Sequence, residues 1–194
     1  PAGSELDERV ELIASRTRRL ARTVEKLLQL SRASSGIAFR RDRFDLLAVI
    51  HVLVDDLSCN VYDDVHIILK TNRISKIFVY GDMDATGILI RNLLENALLH
   101  RNIATPVVVT ILPDGCIDIT NDCAALPPET LARLTNPFVR GSHTVHGSGL
   151  GLAIASNIAK QMDATLSLRS PLTGTTRGFG VSIRFPDLQT QTDD

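Results

Sequence analysis

The sequence predicts a mixed α/β (α+β) fold with a long amphipathic helix in front of it, and three observations carry that prediction. Residues 5–33 hold no Pro or Gly and repeat apolar side chains at alternating spacings of four and three, the stripe of a long helix. Beyond residue 44 the pattern alternates between helical spacing and short β-rich runs, as helices and strands packed in layers require. Finally, Gly147-Ser148-Gly149-Leu150-Gly151-Leu152 runs without a break into Ala153-Ile154-Ala155-Ser156-Asn157-Ile158-Ala159, so a glycine-rich loop opens directly onto a helix.

Each element has its own signal. In the first helix Leu6, Val10, Ile13, Thr17, Leu20, Val24, Leu27 and Ser31 form an a/d seam, with Asp7 and Glu8 near the positive end of the dipole. Leu12, Ala21 and Leu28 widen the stripe, so this helix calls for more than one neighbour, as in a bundle or dimer. Ser34-Ser35-Gly36 stops it. Asp45 is a good N-cap for a second helix over 46–58, with Leu46, Val49, Ile50, Leu53, Val54 and Leu57 on one face. Two β-rich runs follow, 65–70 and 76–80, joined by a polar turn at Thr71-Asn72-Arg73. Asp82 or Asp84 caps the next helix, 84–100. Runs 107–112 and 116–120 flank Pro113-Asp114-Gly115, a hairpin signal, and Pro128 opens a short helix over 128–134. A polar loop, 136–146, leads to the glycines and a helix over 149–162. Runs 164–169 and 179–185 read as a closing hairpin, and the polar residues 189–194 as a disordered tail.

Bulk composition excludes several classes. With 194 residues, 44% hydrophobic and 22% charged, the chain reads as soluble and globular, one core plus an appendage. A formal net charge of −1 leaves no electrostatic footprint for nucleic acid. No apolar run approaches the roughly 20 residues needed to cross a bilayer, so no direct membrane contact is expected. Cys59, Cys116 and Cys123 form no C-x-x-C pair, which argues against a disulfide framework or thiolate zinc site and favours a reducing cytosol. The chain begins at Pro1 rather than Met, which suggests a segment of a longer protein.

Two groups of residues carry chemistry. Asn92 and Asn96 lie four apart on one helix face, and paired amides beside an apolar stripe offer oxygens to a hard cation such as Mg²⁺ or hydrogen bonds to a polar ligand. A local surface feature is the plainer alternative for such a pair. At the glycines, backbone N–H groups left unpaired at a helix start face an anion when no Cβ intervenes; a glycine-dependent turn is the alternative there.

Together these motifs resemble a known family. Arg91-Asn92-Leu93-Leu94-Glu95-Asn96-Ala97 followed by Gly147-Ser148-Gly149-Leu150-Gly151-Leu152, with a strand hairpin between, resembles the N box and G2 box of sensor histidine kinases. The resemblance implies a Bergerat-type two-layer α/β sandwich over 37–188, with a mixed β-sheet and about three helices. It also implies that residues 1–36 are the second helix of a dimerisation and histidine-phosphotransfer domain. The implied cofactors are ATP and Mg²⁺. By the same resemblance Asn96, with Asn92 beside it, would ligate the metal. Gly147, Ser148, Gly149, Leu150 and Gly151 would wrap the phosphates beneath a lid at 136–146, Arg140 would neutralise phosphate charge, and His100, Asn121 and Ala125 would lie on the base side. The implied setting is the cytoplasmic part of an inner-membrane sensor, a homodimer through its first helix, serving a cognate response regulator.

The match departs from the family pattern at its G1 box, normally Asp-x-Gly-x-Gly. Here it reads Asn121-Asp122-Cys123-Ala124-Ala125. Asn121 can still accept from an adenine amino group, without charge. Cys123 and Ala125 would be strained wherever the backbone needs a positive φ. None of His51, His66, His100, His143 or His146 has the His-Glu-x-x-x-Pro context of a phospho-acceptor, so the γ-phosphoryl acceptor is expected on an upstream helix. A catalytically degenerate nucleotide-binding or dimerising regulatory module is the alternative. A water-activating ATPase of the gyrase or MutL kind is disfavoured, because Asn92 stands where those carry Glu.

Overall fold

The computed structural model describes residues 2–34, 40–60, 66–141 and 147–192. Helix α1 (Ala2–Ser34) leads into β1 (Asp42–Asp45), α2 (Leu46–Asn60), β2 (Ile67–Lys70), β3 (Ile74–Gly81) and α3 (Met83–His100). There follow β4 (Val107–Ile111), β5 (Ile117–Asn121), α4 (Pro128–Leu131), α5 (Gly151–Gln161), β6 (Thr165–Arg169), β7 (Phe179–Arg184) and β8 (Gln189–Thr192). Five strands form one sheet in the order β2-β4-β5-β7-β6, antiparallel except for the parallel β2–β4 pair. A second sheet has the order β1-β3-β8.

The core lies between the larger sheet and a layer formed by α2, α3 and α5. Alternation decides it: Val107, Val109 and Ile111 of β4, Ile117 and Ile119 of β5, and Phe179, Val181 and Ile183 of β7 are buried. They meet Leu89, Ile90, Leu93 and Leu94 of α3 and Ile154 and Ile158 of α5 in one continuous cluster. Helix α3 is central, packing on α2, α5, β4 and β5.

Caps set the helix starts. Asp82 resolves the choice of N-cap for α3, its Oδ1 accepting from the Ala85 N–H at 3.0 Å. Asp45 caps α2 through the Leu47 N–H at 3.0 Å, and the same Oδ1 accepts from Ile77 N at 3.1 Å, tying helix to sheet. Within α3, a Cβ added at Gly87 would meet nothing within 4 Å. Gly87→Ala is therefore expected to raise the unfolding free energy by about 0.5–1 kcal/mol, measured by denaturant titration, because only backbone entropy changes.

The turn at 71–73 forms as expected, with Asn72 and Arg73 at φ 50 and 65, and the strands it joins enter different sheets. The larger sheet is mixed as expected, and a second sheet accompanies it. One expectation is corrected. Residues 189–192 are strand β8, paired antiparallel with β3, rather than a disordered tail. Backbone pairing needs no apolar side chains, and buried Phe185 with half-buried Leu188 anchors the segment.

Helix α1 touches the rest through its C-terminal half. Leu30 packs on the core cluster, and Lys26 Nζ lies 2.9 Å from Glu95 Oε2 of α3. The half-buried Thr23, Lys26 and Leu30 belong to a different face from the a/d seam. Along that seam Val10, Ile13, Leu20, Val24 and Leu27 stay exposed, as do Leu12 and Leu28. The expected boundary at 36/37 falls outside the described residues.

Candidate functional site

The packing of α3 on α5 brings the two sequence motifs together. Asn92 is buried; its Nδ2 donates to the Ile88 carbonyl one turn earlier at 2.8 Å, which leaves Oδ1 buried with no hydrogen-bond partner. That oxygen would lie 3.3 Å from a Cβ built on Gly151, the first residue of α5. One turn along α3, Asn96 is half-buried. Further still, Leu99 flanks the loop, with Cδ2 3.1 Å from a Cβ built on Gly147. The start of α5 has no side-chain cap: Leu150 occupies the N-cap position, with only Ser148 Oγ near its N–H at 3.4 Å. The positive end of α5 thus adjoins an unpaired amide oxygen.

Of the three loop glycines, only Gly149 has a positive φ, +69. A Cβ there would lie 2.9 Å from the Phe138 carbonyl carbon and 3.0 Å from its Cα. Phe138 is itself left-handed at φ 65 and donates its N–H to the Gly149 carbonyl at 2.9 Å. Two left-handed residues therefore clamp the loop after α4 onto the glycine loop, and a bulky residue at such a φ is a true outlier. Nothing in the local sequence marked Phe138 for this role. Arg140 is exposed and lines a shallow recess of about 320 Å³ with Glu129, Thr130, Arg133, Phe138 and Val139. The remainder of the expected lid, 142–146, with His143 and His146, lies outside the described residues.

The opposite side is built at the ends of β5 and α3. Asn121, last residue of β5, shares the inner face of Ile117 and Ile119 and is 2% exposed, with neither amide atom hydrogen-bonded. Its neighbour Asp122 is occupied instead: Asn102, just past α3, donates its N–H to the Asp122 carbonyl at 2.7 Å, and Arg177 Nε reaches the carboxylate at 2.6 Å. In sequence the Asn102 tie has no signal beyond Asn being a common turn-former after a helix end. Cys123 and Ala125 adopt no positive φ, so the strain expected from the lost glycines does not arise. Burial pushes the Cys123 thiol up, opposed by the neighbouring Asn121 amide, a weak sulfur contact outside hydrogen-bond geometry.

Burial also holds the His100 imidazole below its ordinary pKa. The folded state therefore binds fewer protons than the unfolded chain, and this contribution is full above pH 6.5 and lost as pH falls below it. Stability is expected to decline from pH 7.5 towards 5.5, and His100→Gln should flatten part of that slope in denaturant titrations across the range.

This fold and these paired motifs define a nucleotide-binding ATPase class. A family model described as "Histidine kinase-, DNA gyrase B-, and HSP90-like ATPase" matches residues 81–189, and the chain belongs to that family. Among its curated relatives, the sensor histidine kinase TrcS of Mycobacterium tuberculosis is 32% identical over 175 residues, covering 81% of this chain and 33% of the relative. The chain likewise spans less than half the length of further sensor proteins it matches. Among solved structures, the fold is shared with the mycobacterial sensor histidine kinase MprB, at TM-score 0.62 and 19% identity, covering 79% of this chain and 99% of that one. It is also shared with full-length ShkA in complex with AMPPNP, at TM-score 0.69 and 19% identity, covering 90% of this chain and 37% of that one.

Proposed function

We propose that this chain is the ATP-binding catalytic portion of a two-component sensor histidine kinase, delivering the γ-phosphoryl group of Mg-ATP to a His on an upstream helix. The observation that carries the reading is the unpaired, buried Oδ1 of Asn92 beside the uncapped start of α5. An anionic ligand accompanied by a hard cation meets both needs at once. Asn92 and Asn96 would hold Mg²⁺, whose charge offsets that of the phosphates. The amides of 147–151 would wrap the phosphates, Arg140 would add charge, and His100, Asn121 and Ala125 would face the base. Phosphoryl transfer asks chiefly for positioning and electrostatic stabilisation, which these groups supply without a general base in this segment.

In the same reading α1 is the second helix of a dimerisation and phosphotransfer domain. Its exposed seam supports this, since seven large apolar side chains exposed along one helix call for a partner helix in a homodimeric bundle. A cognate response regulator would then receive the phosphoryl group, in the cytoplasm; no helix among the described residues is long and apolar enough to cross a membrane. Equilibrium titration with a non-hydrolysable ATP analogue, with and without Mg²⁺, tests the proposal. Magnesium-dependent binding is expected. Absence of binding at millimolar nucleotide would leave a regulatory module without nucleotide, the reading that the altered G1 residues favour.

A further inference from the structure

The base side of the site differs from the phosphate side in the kind of group left unsatisfied. Asn92 offers one free acceptor, whereas Asn121 offers a free donor and a free acceptor on one carboxamide. Asn121 sits at the last register position of β5, opposite Phe179 of β7, on the face that looks towards the helix layer. Its surroundings supply no partner. Asn102 and Arg177 are spent on Asp122, the Gly178 N–H donates to the Cys123 carbonyl at 2.8 Å, and the Cys123 thiol makes only a weak contact. Leaving both atoms of a buried amide unpaired is costly, so a ligand presenting an adjacent donor and acceptor would be rewarded.

A carboxylate at this position would present acceptors alone. It would accept from the amino group of adenine and repel the O6 of guanine. A carboxamide has nearly the same shape but rotates half a turn about its last torsion, exchanging Oδ1 and Nδ2 in place. In one orientation Oδ1 accepts from adenine N6–H and Nδ2 donates to adenine N1. In the other, Nδ2 donates to guanine O6 and Oδ1 accepts from guanine N1–H. Both pairings satisfy both atoms.

Resting on the proposed nucleotide site, we infer that this site takes guanine as well as adenine nucleotides, with Asn121 as the residue that relaxes base selection. The adjoining Cys123 and Ala125 keep ordinary backbone conformations, so the strand end holds its shape while the amide turns.

The test is a pair of titrations of the full chain with non-hydrolysable ATP and GTP analogues in the presence of Mg²⁺. The two dissociation constants are expected within about tenfold of each other, whereas a site built around a single hydrogen-bond pattern discriminates by several orders of magnitude. A wider gap in favour of the ATP analogue would overturn the inference while leaving the proposed function intact. Binding of neither analogue would sink both. In Asn121→Asp, the GTP analogue is expected to weaken by at least about tenfold relative to the ATP analogue. An unchanged ratio in a folded Asn121→Asp, verified by thermal melting, would remove Asn121 from the role; the wild-type ratio decides the inference whether or not that variant folds.

Discussion

Gly149→Ala is expected to lower the unfolding free energy by about 1–3 kcal/mol and to weaken binding of an ATP analogue by at least about tenfold. Two costs coincide at this position. The φ of +69 is one that alanine adopts only with strain, and the new methyl would approach the Phe138 backbone at 2.9 Å. Backbone cannot swing aside as a side chain can, and Phe138 is held by its own hydrogen bond to the Gly149 carbonyl. Relief therefore comes only by displacing the glycine loop, and with it the start of α5. Gly174→Ala provides the control: its φ is +77, but a Cβ there meets nothing within 4 Å. That variant should cost only the conformational part, about 1 kcal/mol, with unchanged nucleotide affinity. Denaturant and analogue titrations of both variants read the two effects separately. If Gly149→Ala bound nucleotide like the parent chain, the loop would not be the phosphate cradle.

The long helices, the Asn92/Asn96 pair on one face of α3 and the glycine loop ahead of α5 were legible in sequence because their signals are local, whereas the joining of the two motifs came from the family resemblance. Asp82 followed by an apolar face at helical spacing fixes α3, and the glycines fall where a loop must meet a helix start. What sequence hid depends on distant partners. Thr71-Asn72-Arg73 does make a tight turn, yet β2 finds β4 in parallel and β3 lies between β1 and β8, a choice made by burial of Ile74, Ile77 and Val79 rather than by the turn. Gln189-Thr190-Gln191-Thr192 carries no apolar alternation, and its strand exists because β3 offers an open edge. Backbone strain is hidden in sequence for a related reason. The need for glycine is set by φ, which residue type does not reveal. The missing glycines at Cys123 and Ala125 cause no strain, while an unremarkable Phe138 takes the left-handed conformation.

Asn92→Leu should move stability and binding in opposite directions, and that opposition separates a ligand-binding amide from a structural one. Nδ2 of Asn92 makes one bond, to the Ile88 carbonyl at 2.8 Å, inside a helix whose own ladder already uses that carbonyl. Its Oδ1 makes none, although the residue is only 3% exposed among Leu93, Leu89 and the start of α5. A buried acceptor without a partner costs about 1–3 kcal/mol, and leucine, with the same branched side-chain skeleton, removes that cost while adding apolar contact. The ligand-free variant is thus expected to be at least as stable as the parent, by as much as about 1–2 kcal/mol. Magnesium-dependent binding of the ATP analogue should meanwhile fall by at least about a hundredfold, because the oxygen facing Gly151 is gone and the apolar side chain stands beside the phosphate loop. Asn92→Asp gives a second reading, since it keeps the oxygen and adds charge. It should retain metal dependence while repelling phosphate, so its binding ought to respond more steeply to Mg²⁺ concentration. Loss of stability in Asn92→Leu with binding intact would assign Asn92 to the scaffold and leave the metal to Asn96 alone.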